Sequence, residues 1–306
     1  MPEPENPQDV PPEEEPVDAE ETEEVGSGAL RSFLGLFVVP LLVVVLCVAI
    51  FIGFGWIAYD RQTTRDYLND LESGWKPRRV QAAYELSKIL VSDPRALEKE
   101  EGAKAQVRRL FQEAEDPEMR RYLALVLGRT GDREALPLLV AALDGEDDRT
   151  RIYALWALGI LGDPRAREPL TRALSDPDAG VRKIAAFAVG ELNDRSVVPS
   201  LRPLLDDAAT DVRWNAALSL ARLGSDAGVP VLESMLDRRL LAQVPDITPE
   251  QQEEAMLSAI RALASLDASG RPEHRALFER LAKDDPSYKV RQAAIEASAA
   301  GKGGGR

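Results

Sequence analysis

The sequence predicts an all-α protein. Its expected architecture is a right-handed α-solenoid of about six to seven helix pairs, preceded by one transmembrane helix and a disordered acidic tail. Three observations lead there. A short line recurs at a fixed interval: DDRTRIYALWALGILGD, DAGVRKIAAFAVGELND and ATDVRWNAALSLARLGS each follow the last by 31 residues. A long apolar run near the N-terminus contains no charge. The residues before that run are acidic, rich in proline and free of aromatics.

The tail comes first in the chain. Residues 1–28 hold eleven of the 52 carboxylates and no Lys or Arg. Such a segment has too little apolar surface to offset its ordering entropy, so residues 1–30 are expected to be disordered. Without those eleven, 41 acidic residues face 38 basic ones, and the body is close to neutral. A near-neutral body argues against nucleic acid, which needs a clustered basic face. The single cysteine, Cys47, excludes an intrachain disulfide and a cysteine-based zinc site.

Between Arg31 and Asp60 lie 28 uncharged residues. About 20 apolar residues suffice to cross a bilayer core as a helix, so residues 31–59 are read as a transmembrane segment. A secretory signal peptide would want a basic start, a shorter core and a small-residue cleavage site. The flanking charge is Arg31 on one side against Arg61, Arg65, Lys76, Arg78 and Arg79 on the other. Positive-inside reasoning places the C-terminal side in the cytoplasm and the acidic tail outside. An N-terminal signal anchor would place the same domain outside, and that alternative stays open. Residues 60–75 are read as a juxtamembrane connector that can extend the membrane helix.

The repeats occupy residues 76–299. The recurring arginine, with the residue before it, gives Arg78-Arg79, Met119-Arg120, Thr150-Arg151, Val181-Arg182, Val212-Arg213, Ala255-Met256 and Val290-Arg291. Within one copy Val181, Ile184, Ala185, Ala188, Val189 and Leu192 fall on one helical face. Asp116-Pro117 and Asp176-Pro177 look like helix starts. Gly131-Asp132, Gly162-Asp163, Asn193-Asp194 and Gly224-Ser225 look like helix ends with a left-handed cap. ALPLLVAAL, EPLTRALSD, VPSLRPLL and VPVLESML follow as second helices. One such pair cannot hide its apolar face alone, whereas stacked neighbours bury it. Residues 91–107 lengthen the first unit as a charged connector, and 300–306 form a glycine-rich flexible end.

The line VR-x-x-A-A-x-A-L-G-x-L-G-D, closely fitted by Val181-Arg182 through Asp194 and by Val212-Arg213 through Ser225, resembles HEAT repeats. It is most similar to the short HEAT-like repeats of the phycobilisome-lyase type. The resemblance implies a structural ladder in which Arg151, Arg182 and Arg213 meet Asp132, Asp163 and Asp194. Ala255-Met256 lacks the arginine, so the ladder is expected to break there.

The unit after Val212 carries about a dozen added residues, and insertions on solenoids often lie on a binding face. Thr248-Pro249-Glu250-Gln251 reads as a capping box that opens a new helix. Leu240, Leu241, Val244 and Ile247 before it are candidate protein-binding residues; a connector packed on its own repeat is the alternative. Arg172, Arg202 and Arg238, on or near second helices, are further candidates. Trp75, Trp156 and Trp214 can line a groove or serve as core.

No catalytic constellation stands out. His274 is the only histidine and has no cysteine partner, so it reads as a surface or helix-start residue. No phosphate loop, dinucleotide fingerprint or GxSxG turn is present. The expectation is therefore a non-catalytic scaffold or accessory subunit, anchored in the cell membrane as a single-pass protein. Its partner is another protein of that membrane, with no cofactor, metal or nucleic acid. Two alternatives remain: a lyase or chaperone-like factor for chromophore or cofactor attachment, and an envelope assembly factor with the solenoid outside the cytoplasm.

Overall fold

The computed structural model describes residues 35, 38–58, 62–144, 147–267 and 274–300. The acidic tail 1–30 and residues 301–306 lie outside the described residues. All regular elements described are helical. The chain divides into two units, residues 1–61 and 62–306.

In the first unit, helix α1 spans Val39–Ala58 and contains no charged residue. Its side chains are described over 40–52, which at 1.5 Å per residue is about 20 Å of helix. Among the described residues, no helix is long and apolar enough to cross a membrane. The expected anchor thus rests on the sequence.

The second unit is a stack of helix pairs. Helix α2 is Thr64–Ser73. The longer first helices are α3 (Lys76–Ser92), α5 (Pro117–Arg129), α7 (Asp148–Leu161), α9 (Ala179–Glu191), α11 (Thr210–Arg222), α14 (Pro249–Asp267) and α16 (Tyr288–Ala300). Each packs on the next in that order. Between them run the second helices α4 (Ala103–Glu113), α6 (Leu136–Ala141), α8 (Arg167–Ala173), α10 (Val198–Leu201), α12 (Val229–Ser234) and α15 (Arg275–Asp284). A four-residue helix, α13 (Arg238–Leu241), lies in the insert. Six pairs followed by a seventh first helix therefore match the expected six to seven units.

Local signals set the boundaries. Asp116 caps α5 by accepting from the backbone N–H groups of Glu118 and Met119. Asp147 does the same for α7. At α9 the capping residue is Asp178, which accepts from Val181 N–H, and not the expected Asp176. Gly131, Gly162, Asn193 and Gly224 all adopt positive φ at the ends of first helices. Each reverses the chain into a short 3₁₀ turn whose second residue donates its backbone N–H to the Asp or Ser that precedes the turn.

Packing of the first helices is unusually close because glycines lie in the contact. A Cβ on Gly128 would stand 2.7 Å from Ala157 Cα, and one on Gly159 would stand 2.8 Å from Ala188 Cα. Gly190 faces Ser219, whose hydroxyl donates to Ala186 O at 2.9 Å. These glycines are spaced by the repeat length. The small residue on the facing helix recurs at the same spacing.

Two segments differ from expectation. The stretch read as a connector contains α2, opened by a reciprocal Thr63–Asp66 capping box, and Leu68 and Leu71 join the core of the repeats. Thr63 has extended backbone, with φ −82° and ψ 164°, and α2 begins at its own cap. In the segment 91–107, Ala96, Leu97, Ala103 and Val107 are buried, so it packs as part of the first pair.

Candidate functional site

The insert begins at Asp237, whose carboxylate accepts from Arg239 N–H at 2.9 Å and starts α13. The Arg239 guanidinium beside it holds this carboxyl below its ordinary range. Leu241 is 1% exposed and belongs to the C-terminal core, whereas Leu240 is 47% exposed. Val244 and Ile247 are half-buried. Asp246 turns the chain with φ 57°, a left-handed conformation that Asp tolerates. Thr248 and Gln251 then form the expected capping box: Thr248 N–H donates to Gln251 Oε1 at 2.9 Å, and Gln251 N–H donates to Thr248 Oγ1 at 3.3 Å. Of the four apolar candidates, Leu241 is corrected to core.

The insert walls two clefts, one against α11 and α14 and the other against α11 and α12. One, of about 450 Å³, is lined by Trp214, Leu218, Met235, Val244, Ile247 and Glu254 among others. The other, of about 310 Å³, includes Leu240, Leu241 and Val231. Trp214, Val244 and Pro245 are common to both. Trp214 thus lines a groove, as one of the two readings expected. Trp75 is exposed, and Trp156 is half-buried under the Arg129 guanidinium.

The Arg/Asp ladder exists in a register other than the one expected. Arg151 does not meet Asp132; it donates to Asp176, 25 residues ahead, at 2.6 Å. Arg182 does not meet Asp163; it grips Asp207 with two hydrogen bonds of 2.8 and 2.9 Å. Arg182 also donates to the carbonyls of Asp176 and Pro177, and Arg213 donates to those of Asp207 and Ala208. Each such Asp therefore offers its carboxylate to the preceding repeat and its carbonyl to its own. Arg213 reaches carbonyls and Thr210, not Asp194. The turn residues have other partners: Asp132 takes Arg108, Asp163 takes Arg165, and Asp194 takes Arg167.

Arg238 completes this chain where the pattern lapses. Met256 stands at the arginine position of α14 and is fully buried. From the insert, Arg238 donates to both Asp285 oxygens at 2.8 and 2.9 Å, and Arg291 donates to the Asp285 carbonyl at 2.7 Å. The ladder is bridged where a break was expected. Arg238 is occupied within the chain, which removes it from the protein-binding candidates. Arg172 and Arg202 stay exposed.

These pairs are expected to cost the stack stability in acid. The Arg165 guanidinium holds the Asp163 carboxyl down at about 2, and Arg182 lowers that of Asp207. A carboxyl depressed in the folded state stabilises fully above its unfolded value of 3.8 and loses that contribution as pH falls toward the folded value. We expect the melting temperature to fall steeply between about pH 4 and pH 2. Asp163→Asn and Asp207→Asn, each melted across that range, will flatten the decline.

His274 is buried, contrary to a surface reading, though it does stand at a helix start. Its Nδ1 donates to Asp267 Oδ1 at 2.7 Å and its backbone N–H to Asp267 Oδ2 at 3.2 Å. The pair ties the end of α14 to the start of α15. Among the described residues no group of three or more His, Cys, Asp or Glu is placed to hold a metal.

Comparison with known proteins agrees with this architecture. Residues 107–188 and 168–243 match the family model for HEAT repeats. The complex of CpcE and CpcF of phycocyanin lyase from Nostoc is similar in structure, with TM-score 0.56 and 20% identity, over 78% of this chain and 87% of that one. Human deoxyhypusine hydroxylase is similar at TM-score 0.35 and 20% identity, over 78% and 96% of the two chains. A designed armadillo repeat protein is similar at 0.44 and 19%, over 78% and 100%. At these identities the likeness is one of fold. None of the curated proteins matches this chain.

Proposed function

We propose that this chain is a membrane-anchored HEAT-repeat scaffold or accessory subunit that binds another protein of the same membrane and performs no catalysis itself. One observation carries the reading: the insert departs from a periodic stack and leaves Leu240, Val244 and Ile247 around two clefts instead of burying all of them. The uncharged run 32–59, within the segment read as 31–59, supplies the anchor, with the repeats in the cytoplasm by flanking charge. Anchoring raises the effective concentration of any partner confined to that bilayer. A HEAT-like chain assembling with a second protein has a parallel in the CpcE–CpcF complex.

The test is cross-linking from intact membranes with the tagged full-length chain beside the Leu240→Asp/Val244→Asp variant. Point changes are preferable to deleting the insert, because deletion would take out core Leu241 and the Arg238 bridge. One partner in near-stoichiometric yield, lost from the variant, is expected; capture of nothing at any cross-linker length sinks the reading. A topology reporter fused after Arg306 gives a cytoplasmic signal. An external signal moves the chain to the envelope assembly alternative. The phycocyanin lyase likeness favours a second reading, a lyase or chaperone-like factor for cofactor attachment. A pigment or cofactor that co-purifies with the chain would support it.

A further inference from the structure

We propose that the cleft beside Trp214 is a docking pocket for a single arginine or lysine side chain on an extended segment of the partner protein. The proposal rests on the scaffold reading above and names the chemistry of its contact. The floor is apolar: Leu218, Met235, Val244 and Ile247. The rim is acidic. Lys183 and Asp211 neutralise each other at 2.7 Å, which leaves Asp246 and Glu254, neither with a cation partner among the described residues. Asn215 spends its amide N–H on Asp211 O and keeps its amide oxygen as an acceptor. An apolar well with carboxylates at its mouth suits a long side chain with a buried stem and a charged head held at the rim. A carboxylate-bearing or purely apolar side chain would leave the two rim charges repelled or unpaired.

Trp214 supplies the independent observation. Elsewhere the chain places its own cation over an aromatic ring: Lys88 over Tyr84, Arg120 over Phe111, Arg129 over Trp156, Arg222 over Phe187 and Arg291 over Tyr288. Among the described residues Trp214 has no such cation, although Arg213 precedes it, because Arg213 is turned to the carbonyls of Asp207 and Ala208. Trp is the ring that attracts a cation most strongly. Among the described residues Trp75, Tyr67, Tyr122, Tyr153 and Phe278 also lack a cation over the ring, but of these rings only Trp214 lines the cleft whose rim carries Asp246 and Glu254. The adjoining cleft, with Val231 and Leu240, takes an apolar neighbour of the docked cation.

The probe is a fluorescein-labelled peptide Gly-Ser-Leu-Arg-Leu-Ser-Gly, with Gln and Glu versions at the Arg position. Each is titrated against the full-length chain in detergent and read by anisotropy. We expect the Arg peptide to bind at least about tenfold more tightly than the Gln peptide, and to weaken with added salt. Trp214→Leu will lose most of that preference. Asp246→Asn/Glu254→Lys will transfer it to the Glu peptide without lowering the melting temperature, since both residues sit on the surface and Asn keeps the left-handed turn at position 246. Three peptides binding alike, or an Arg preference that survives the double substitution, overturns the pocket. Membrane cross-linking with the same double variant separates the two proposals. A partner captured undiminished overturns this contact and leaves the scaffold standing. An Arg-selective cleft with no partner captured by the native chain supports the pocket and removes the scaffold.

Discussion

Gly159→Val will cause one of the large losses of stability open to a single substitution in the central repeats. The new Cβ would lie 2.8 Å from Ala188 Cα and 2.9 Å from Ala188 Cβ, distances that real side chains do not occupy. The obstacle is backbone, so rotation of a flexible side chain cannot relieve it. Helices α7 and α9 must move apart, and every contact between the second and third first helices of the regular stack loosens with them. Overpacking a well-filled core costs about 1–3 kcal/mol, and valine adds branching to the clash, so the upper end applies. Gly159→Ala should show a smaller loss of the same kind. Adding Ala188→Gly should restore only part of it, because Ala188 Cα is as close as its Cβ. Thermal melts followed by circular dichroism give the size of the effect. Hydrogen exchange gives its place, with protection lost first in α7 and α9. A Gly159→Val chain that melts like the native one would show that the two helices do not touch there.

Much of the stack was legible because it obeys a period. The 31-residue spacing fixed where first helices lie, and the apolar offsets within Val181–Leu192 fixed which face is buried. Gly131, Gly162, Asn193 and Gly224 marked their ends, because only a few residue types accept positive φ. The ladder was legible in composition and not in register. Both sets of aspartates recur every 31 residues, so the sequence cannot tell Asp163 from Asp207 as the partner of Arg182. Only the rise from one helix pair to the next decides it. Helix α2 had a signal that was missed, since Thr63 and Asp66 have capping-box spacing and Leu68 and Leu71 fall three apart. His274 had none: its partner Asp267, seven residues back, is not marked by any pattern. Within the candidate site, Leu240 and Leu241 are neighbours of the same type. One is core and one is surface, because a four-residue helix presents only one of them to α14's side of the stack.

Arg238→Ala is expected to destabilise the C-terminal pairs selectively, by an amount comparable with that of Gly159→Val. Asp285 is a nearly buried carboxylate, its side chain 3% exposed. It receives both Arg238 hydrogen bonds and the Ser287 backbone N–H, and its carbonyl holds Arg291. The same attraction holds the Arg238 guanidinium in its charged form more firmly than usual. Removal of one member of a buried pair strands the other and costs about 3–5 kcal/mol, more than the pair itself contributes. Because Arg238 is partly exposed, the lower end of that range is expected. Arg238→Lys should recover little, since an ammonium cannot reproduce the two-pronged grip. Arg238→Ala together with Asp285→Asn should recover more, because no buried charge is then left alone. Exchange protection will fall in α14, α15 and α16 and stay unchanged in α5 through α9, which the ladder of Arg151 and Arg182 holds independently. A uniform loss across all repeats would contradict this local role. So would a double variant less stable than Arg238→Ala. The insert would then have to be read as a binding loop alone, not also as the brace that carries the ladder past Met256.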